Sequence, residues 1–283
     1  MPMSNLSFVE TAYLGLFRRP RFRGFNERVH RLALQSLGVM NWENPTVSGE
    51  IDFVSRLAPL ARTRDTFTVL DVGANNGDYS TLILRTIPSS KVYAFEPNPL
   101  LFKHLQTSLS LTNFHPINAA VGSEDGEAIL YDYDGSNGTG HASLFPGVIE
   151  DIHGNPSPFG HAVKQLKLDS FLESISIGWV DLMKIDVEGN ELNVLNGCRE
   201  RLKAGRFGVI QFEFNEMNLV SRVFFRDFAG TLTDYKLYRL LPQGMIRLWN
   251  NRYHHYQQEV FAYQNVVAIL KGSVYDSAEL TGQ

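Results

Sequence analysis

From Ser48 onward, short apolar runs rich in β-branched residues alternate with longer amphipathic stretches. Apolar runs that end at a glycine or an acid are typical of buried parallel strands, whereas a period of about 3.6 residues is typical of helices. Strands are predicted at 68–72, 91–96, 115–119, 179–187 and 207–214, and helices at 50–61, 78–86, 99–111 and 188–203. Ser48 is expected to cap the first of these helices. Regular alternation over short connections predicts a doubly wound α/β sheet.

The pattern changes near the C-terminus. Two strand-like segments, 235–241 and 245–250, flank Pro242-Gln243-Gly244, and this tripeptide predicts the turn of an antiparallel hairpin. A last strand is predicted at 265–270. The sheet is therefore expected to begin parallel and to end antiparallel.

An insertion interrupts the alternation in the middle of the chain. Residues 134–160 are rich in Gly, Ser, Asn, Pro and His, and they lie between strands predicted at 127–134 and 163–168. The second strand is expected to return the chain to the sheet. Because long irregular loops in compact domains are often functional, we expect the insertion and the loop at 251–258 to form the acceptor pocket.

The N-terminal segment has a different composition from the rest of the chain. Residues 1–45 are basic and contain one predicted helix, at 25–37, which Gly38 ends. We therefore divide the chain into a helical N-terminal extension, 1–45, and a main domain, 46–283. The extension is expected to pack on the main domain or on a second copy of the chain, as in a homo-oligomer. Binding to a membrane surface is the lesser alternative.

Composition limits the classes of partner and the compartment. The chain has 283 residues, 43% of them hydrophobic, and a formal net charge of -4, which argues against nucleic acid as a partner. Cys198 is the single cysteine, so no disulfide can form within the chain, as is usual in a reducing compartment. The apolar run at 1–17 is too short to span a membrane and its basic residues follow it, unlike a secretory signal. A cytoplasmic location is therefore expected.

Acidic residues end four of the five predicted parallel strands: Asp71, Glu96, Asp186 and Glu213. An acid at a strand end can simply cap the following helix. However, ligands of open α/β sheets bind at the carboxyl ends of the strands, where these four acids converge. The sequence therefore predicts an acidic ligand site at this edge.

The turn after the first strand indicates which cofactor the site takes. A dinucleotide site requires G-x-G-x-x-G, but Asn75 and Asp78 occupy the second and third glycine positions after Gly73. The turn reads D-x-G-x-x-x-G, and S-adenosylmethionine, which has no phosphate, needs no phosphate-binding loop. Glu96, which ends the next strand, can accept hydrogen bonds from both ribose hydroxyls. The pattern favours S-adenosylmethionine, and a nicotinamide-dependent oxidoreductase is the first alternative.

Five segments together carry a resemblance to a known family. They are VLDVGANNGDYS from Val69, FEPNP at Phe95–Pro99, NAAVGSEDG at Asn118–Gly126, LKLDSFL at Leu166–Leu172, and DLMKIDVEGNELNVLNG at Asp181–Gly197. Their order and spacing resemble the FkbM-type methyltransferase family, from about Ser48 to the last strand. The KIDVEG element beside FEPNP is the most specific part, and the N-terminal extension lies outside the resemblance.

The resemblance implies a class I, Rossmann-like methyltransferase sheet of seven strands, with the sixth and seventh forming the closing hairpin. It implies O-methylation of a hydroxyl on a sugar, a glycan or a secondary metabolite. Carried over by position, the turn after the first strand would surround the methionine portion of S-adenosylmethionine, Glu96 would hold the ribose, and residues of the next two strand ends would border the adenine. The cofactor-binding residues so assigned are Asp71, Gly73, Ala74, Asn75, Gly77, Glu96, Pro97, Asn98, Asn118 and Ala119.

Two residues are candidates for the general base of an O-methyl transfer. The strand period places Lys184, Asp186 and Glu188 on one side, and Asp186 is the first candidate. Glu188 can instead begin the following helix. His141, within the insertion, is the second candidate. No ligand spacing supports a metal, and none is assigned.

The partner expected from these features is a small-molecule or carbohydrate acceptor. A protein that keeps the fold for cofactor binding or assembly, without catalysis, is the second alternative. The intact strand-end acids and the KIDVEG segment favour a working enzyme.

Overall fold

The computed structural model describes residues 7–109, 111–133, 140–249 and 254–282. The strands are β1 Phe67–Val72, β2 Ser90–Phe95, β3 Phe114–Ile117, β4 Ala120–Gly122, β5 Gly126–Asp132, β6 Phe159–Lys167, β7 Val180–Ile185, β8 Phe207–Phe214, β9 Tyr235–Leu240, β10 Met245–Arg247 and β11 Gln264–Leu270. All five predicted parallel strands are present, with end positions shifted by no more than two residues.

Helices connect the strands and precede them. They are α1 Phe8–Phe17, α2 Arg23–Ser36, α3 Glu50–Ala61, α4 Asp78–Thr86, α5 Pro99–Ser108, α6 Leu168–Ser174, α7 Glu191–Asn196, α8 Arg199–Lys203, α9 Met217–Ser221, α10 Phe225–Thr231, α11 His255–Gln258 and α12 Ala278–Thr281. A single 3₁₀ turn lies at Pro20–Phe22 and a π-helical turn at Val148–Ile152. None of the helices in the described ranges is long and apolar enough to cross a membrane.

The main sheet has eight strands in the order β10-β9-β11-β8-β7-β1-β2-β3. The five neighbouring strands β8, β7, β1, β2 and β3 are parallel, and β11 pairs antiparallel with both β8 and β9. The chain leaves β1 toward β2 on one side and later returns to β7 on the other. The carboxyl ends of β1 and β7 therefore form the crevice where such sheets bind ligands.

The number of strands and the insertion differ from the prediction. The predicted hairpin is confirmed: it joins β9 to β10, the sixth and seventh strands of the main sheet in chain order. The sheet has an eighth strand, β11, which lies between β9 and β8. The strand predicted at 163–168 does not return to the main sheet. It forms β6, the central strand of a separate three-stranded sheet with β4 and β5.

Two helix predictions are wrong for local reasons. The helix predicted at 188–203 begins only at Glu191, because Glu188 and Gly189 have φ of 51° and 100°, outside the right-handed helical region. It also breaks into α7 and α8. Ser48 does not cap α3: the N-cap residue is Gly49, at φ 87°, with no side-chain cap.

Both faces of the main sheet are covered by apolar side chains. On one face Phe212 stacks on Phe228 of α10, with ring centroids 4.6 Å apart. On the other face, Leu57 of α3 and Ile83 of α4 are fully buried against the parallel strands. The strands are therefore buried on both sides.

The N-terminal extension joins the sheet through a short segment that follows α2. Neither α1, which the sequence did not predict, nor α2 contains a buried residue. Val39 is buried, the Met40 N–H donates to the carbonyl oxygen of Tyr263 at 2.7 Å, and the Arg239 guanidinium donates to the carbonyl oxygen of Leu37 at 3.2 Å. These contacts attach the segment beside β9 and β11.

One buried acid, Asp181 at the start of β7, lies at the opposite edge from the crevice and has a structural role. Its carboxylate accepts hydrogen bonds from the Thr68 N–H at 2.7 Å, the Trp179 indole at 2.8 Å and the Tyr275 hydroxyl at 2.7 Å. Arg64 lies 3.2 Å away and adds a positive charge. Asp181 thus joins β1, β7 and the C-terminal segment.

Replacing Asp181 with alanine should destabilise the fold. Asp181→Ala leaves the donors of Thr68 and Tyr275 without their acceptor in a buried position, and we expect the free energy of unfolding to fall by about 3 kcal/mol. Urea denaturation followed by circular dichroism measures the loss. Asp65→Ala, at a nearby exposed acid, is the matched control and should change stability by less than about 0.5 kcal/mol. Equal midpoints for both variants would contradict the structural role.

Candidate active site

The turn after β1 brings the first strand end into contact with that of β7. Gly73 has φ of 87°, and a Cβ at this position would overlap the carbonyl oxygen of Asp186. Gly77 has φ of 85° and is the N-cap residue of α4. Both glycines are therefore required by backbone conformation, and Gly73 also by close approach. Between them Asn75, at φ 50°, directs its backbone N–H to the carboxylate of Glu96 at 2.8 Å.

Glu96 follows β2 and is 5% exposed. Its two carboxylate oxygens accept separate backbone hydrogen bonds, from Asn75 and from Asn98, each at 2.8 Å. Burial raises the pKa of Glu96 to about 7, although these two N–H donors oppose the shift. The carboxyl group is thus held rigidly, and each oxygen keeps acceptor capacity for a ligand hydroxyl.

A cavity of about 740 Å³ opens at this edge of the sheet. The sequence-predicted residues that line it are Gly73, Asn75, Glu96, Pro97, Ala119, Asp186 and His141. Ala74 and Asp71 line a second cavity of about 370 Å³, which shares Gly73, Asn75 and Asp186 with the first. The structure therefore brings together both predicted catalytic residues and half of the predicted cofactor residues.

The other predicted cofactor residues shape the site from behind. Asp71 accepts a hydrogen bond from the Ser80 hydroxyl at 2.6 Å, and burial raises its pKa to about 6. The Asn98 side chain caps α5 by accepting from the Leu100 N–H. The Asn118 side-chain amide donates to the backbone carbonyl oxygens of Glu96 and Pro97, at 2.8 Å and 3.0 Å. Their assignment to the cofactor stays a prediction.

The residues around the cavity fit S-adenosylmethionine. The Asn75 side-chain oxygen is buried and has no hydrogen-bond partner among the described residues, so it can accept from an ammonium group. Glu96 is placed to accept from ribose hydroxyls, and Pro97 and Ala119 supply apolar surface for a flat base. The acidic lining suits a ligand that carries a sulfonium.

Lys184 of β7 is the centre of a buried charge network beside the cavity. It is 3% exposed, and its ammonium lies 3.5 Å from Glu50, 3.5 Å from Asp186 and 3.4 Å from Glu213. Gln211 of β8 extends the network, because its amide nitrogen donates to Glu50 at 2.8 Å. Three separate segments of the chain, α3, β7 and β8, thus meet at one ammonium.

The charges in this network do not cancel. Burial lowers the pKa of Lys184, but the carboxylates of Asp186, Glu213 and Glu50 outweigh burial and hold this pKa well above its usual value. One lysine cannot balance three carboxylates, and burial together with repulsion from Asp186 raises the pKa of Glu213. Lys184 therefore stays charged, and the raised pKa of Glu213 favours its protonated form, which lessens the surplus of negative charge beside the cofactor cavity.

The predicted alternation of Lys184, Asp186 and Glu188 is wrong beyond the strand end. β7 ends at Ile185, and Glu188 lies in a left-handed turn, so its side chain follows no strand period. Glu188 instead reaches His141 of the insertion, with Oε1 3.3 Å from Nδ1, and this hydrogen bond raises the pKa of His141. Asp186 keeps 38% of its side chain exposed and lines both cavities.

Several residues of the cavity were missed by sequence reasoning. They are Met40 and Trp42 from the segment after α2, Glu216 and Met217 after β8, and Phe261 and Tyr263 before β11. No local motif marks these positions, because each reaches the cavity only through the packing of distant segments. The one signal available in the sequence was the position of residues 213–217, which lie at and just after the end of β8, where a ligand site is expected.

The fold and site define a class I S-adenosylmethionine-dependent methyltransferase. The model of the Methyltransferase FkbM domain matches residues 71–235, which include the end of β1, the cofactor turn and the Lys184 strand. The chain belongs to the FkbM methyltransferase family, which uses S-adenosylmethionine. Family membership supports methyl transfer over the nicotinamide-dependent alternative.

Individual relatives are distant. The chain is 26% identical over 199 residues to the hexuronic acid methyltransferase AglP of Haloferax volcanii, covering 70% of this chain and 76% of the relative. It is 24% identical over 188 residues to the 2-O-methyltransferase NoeI of Sinorhizobium fredii, covering 62% and 75%. Among solved structures, the O-methyltransferase of Bacillus cereus in complex with SAH is 13% identical, with a TM-score of 0.43 over 93% of this chain and 97% of that one.

Removing the central cation should destabilise the protein. Lys184→Met leaves the largely buried carboxylates of Glu50 and Glu213, and the partly exposed Asp186, without a counter-charge, and we expect the free energy of unfolding to fall by about 3 kcal/mol or more. Urea denaturation provides the measurement. Lys203→Met is the matched control, since that lysine is paired with Glu200 on the surface and should contribute less than about 0.5 kcal/mol. A loss no larger than that of the control would show that the network is not stabilising.

Cofactor affinity should depend on pH through Glu96. Its pKa is raised to about 7, so the carboxylate form, which is predicted to accept ribose hydroxyls, predominates above pH 7 and is lost below it. We expect S-adenosylhomocysteine to bind about tenfold more tightly at pH 8 than at pH 6. Titration calorimetry at the two values measures this ratio.

The ratio should fall to within about twofold in Glu96→Gln, which cannot titrate. Glu127→Gln changes an exposed glutamate of β5 and serves as the matched control, in which the pH dependence should persist. If Glu96→Gln kept both the affinity and the pH dependence of the parent, the ribose assignment would be wrong.

Proposed function

We propose that this enzyme transfers a methyl group to a hydroxyl of a sugar or a similar polyhydroxylated acceptor. The observation that carries the proposal is the position of Asp186, a partly exposed carboxylate at the end of β7 that contacts both cavities at the cofactor turn. Two distant relatives whose names specify hexuronic acid and 2-O methylation support a carbohydrate acceptor.

The chain provides alignment and a proton acceptor. S-adenosylmethionine, when bound, supplies an electrophilic methyl group on a sulfonium. The Gly73 turn and Glu96 would hold the cofactor, and Asp186 would orient the acceptor hydroxyl toward the methyl group. Asp186 would take up the hydroxyl proton as the oxygen–methyl bond forms and the sulfur–methyl bond breaks, with S-adenosylhomocysteine as the leaving group. Lys184, 3.5 Å from the Asp186 carboxylate, holds that side chain in place.

The remaining lining of the larger cavity suits a polyhydroxylated ring. Trp42, Phe261 and Tyr263 supply aromatic surface against which the C–H face of a sugar can pack. Asn190, Asn215 and Glu216 supply amide and carboxylate groups for its hydroxyls. A cavity of about 740 Å³ lies within the range of pockets that hold drug-sized ligands.

A hydroxyl acceptor can be distinguished from a carboxylate acceptor. The name of the Haloferax volcanii relative is compatible with methylation of either a hydroxyl oxygen or a carboxylate oxygen of a hexuronic acid. A carboxylate is already ionised at neutral pH and needs no base. Methylation of a hydroxyl gives an ether that survives mild alkali, whereas methylation of a carboxylate gives an ester that does not. The two products therefore separate the two chemistries.

The test uses methyl-labelled S-adenosylmethionine with a panel of hexoses, deoxyhexoses and hexuronic acid glycosides. We expect an alkali-stable methyl ether. We expect Asp186→Asn to lower turnover by about 100-fold or more, because the positioned base is lost, with S-adenosylhomocysteine affinity kept within about twofold. Asp151→Asn, at an exposed aspartate of the insertion, is the matched control and should keep full turnover. An alkali-labile product, or turnover of Asp186→Asn equal to the control, would refute the proposal.

A further inference from the structure

Three side chains from separate parts of the chain converge at the acceptor side of the larger cavity. They are His141 and His153 of the insertion and Glu188, three residues past the end of β7. We propose that His141, His153 and Glu188 bind a divalent transition-metal ion whose open coordination positions face the cavity. The sequence assigned no metal, because no two of these residues have a recognisable ligand spacing.

The geometry of the three side chains suits one shared ion. One nitrogen of each histidine and one carboxylate oxygen of Glu188 all lie within 4.8 Å of one another. Ligands of an ion at about 2.0–2.2 Å are separated by roughly 3–4 Å, so small side-chain rotations complete the site. The two imidazole rings are already adjacent, with centroids 4.9 Å apart and an interplanar angle of 39°.

The hydrogen bonding of the cluster is incomplete. The His153 Nε2 atom is buried and has no hydrogen-bond partner among the described residues. A buried imidazole nitrogen without a partner is costly, and metal coordination would satisfy it. Within the cluster, His141 and Glu188 make a hydrogen bond of 3.3 Å, at the long end of the normal range.

The charge of the cavity also favours a bound cation. Its lining includes the carboxylates of Glu96, Asp186, Glu188, Glu213 and Glu216, and no lysine or arginine among the residues described there. A methyl donor held by Glu96 would place its positive charge on the Glu96 and Asp186 side of the cavity. The carboxylates of Glu188 and Glu216 also line the cavity and would be left without a counter-charge. A divalent ion at Glu188 would supply one.

The ligand set selects the kind of metal. Two imidazoles and one carboxylate suit Zn²⁺, Mn²⁺, Fe²⁺, Co²⁺ or Ni²⁺, whereas Mg²⁺ prefers oxygen ligands alone. Three protein ligands leave at least one position open, as in catalytic rather than structural sites. His141, with 56% of its side chain exposed, lies on the open side of the cluster.

An ion at this place would deepen the proposed function. The role of the ion in methyl transfer rests on that function, but its binding does not. Vicinal oxygens of a sugar can enter the open positions, and the ion then fixes the ring and lowers the pKa of the coordinated hydroxyl as a Lewis acid. Asp186 still receives the proton. The metal thus adds orientation of the acceptor to the alignment supplied by the cofactor turn.

The experiment measures metal binding without an acceptor. Chelator-treated protein is titrated with Zn²⁺ by calorimetry and with Co²⁺ by visible absorption. We expect one equivalent of each ion to bind. We expect His153→Ala and Glu188→Gln each to weaken binding by at least about tenfold, with melting temperature and S-adenosylhomocysteine affinity measured in parallel to show that the fold and the cofactor half are intact. Azide should shift the Co²⁺ spectrum, which reports an exchangeable position.

His161→Ala is the matched control. His161 lies in the neighbouring strand β6 and does not line the cavity, so this variant should bind both ions as the parent does. Absence of binding to the parent, or equal weakening by His161→Ala and His153→Ala, would overturn the site. A Co²⁺ spectrum insensitive to azide would overturn the open position. Either failure leaves the test of the methyl ether unaffected, so the two proposals fail separately.

Discussion

The buried ammonium of Lys184 is the interaction on which the rest of the site depends. Parallel strands that end in acids bring like charges to one edge of the sheet, and this arrangement is stable only with a counter-charge. Lys184 supplies it within 3.5 Å of Glu50, Asp186 and Glu213. Hydrogen bonds from Gln211 then extend the network to α3 and β11, and Tyr79 adds α4. The helix before β1, the cofactor turn and the antiparallel end of the sheet are thus fixed relative to a single atom.

Some of the residues predicted at the cofactor also support the turns of the site. Asp71 lines the smaller cavity and its side chain accepts a hydrogen bond from Ser80, and the Asn118 side chain donates to backbone carbonyls. Their hydrogen bonds set the conformation of the turns that present Asn75 and Glu96 to the cavity. A short acidic motif therefore encodes both the contact surface and its support, and only the three-dimensional arrangement distinguishes the two. The surplus negative charge held at this edge is complementary to a cationic methyl donor.

The sequence predicted those features that depend on local residue patterns. The helices α3 and α4 and the strand β8 match their predicted bounds, because an amphipathic or apolar period is complete within each. Features that depend on distant contacts were not predictable in this way. The period of β6 is that of any strand, and nothing local shows that it pairs with β5 instead of the main sheet. Glu188 was misplaced because a left-handed turn, not the strand, sets the direction of its side chain.

The acceptor side of the cavity was the least predictable part, because it is assembled from distant segments, the N-terminal extension and the insertion in the middle of the chain. Met40 and Trp42 arrive from the N-terminal extension, where the Met40 N–H is bonded to the backbone of Tyr263. His141 and His153 come from the insertion on the other side. An acceptor in this cavity would be enclosed between these two segments. The extension lies outside the FkbM match at 71–235, whereas the insertion lies inside it. The cofactor half, by contrast, is built entirely from strand ends within the matched region. The methyl-donor chemistry is therefore a property of the sheet, and acceptor selectivity is expected to follow from the extension and the insertion, which can vary without disturbing the Lys184 network.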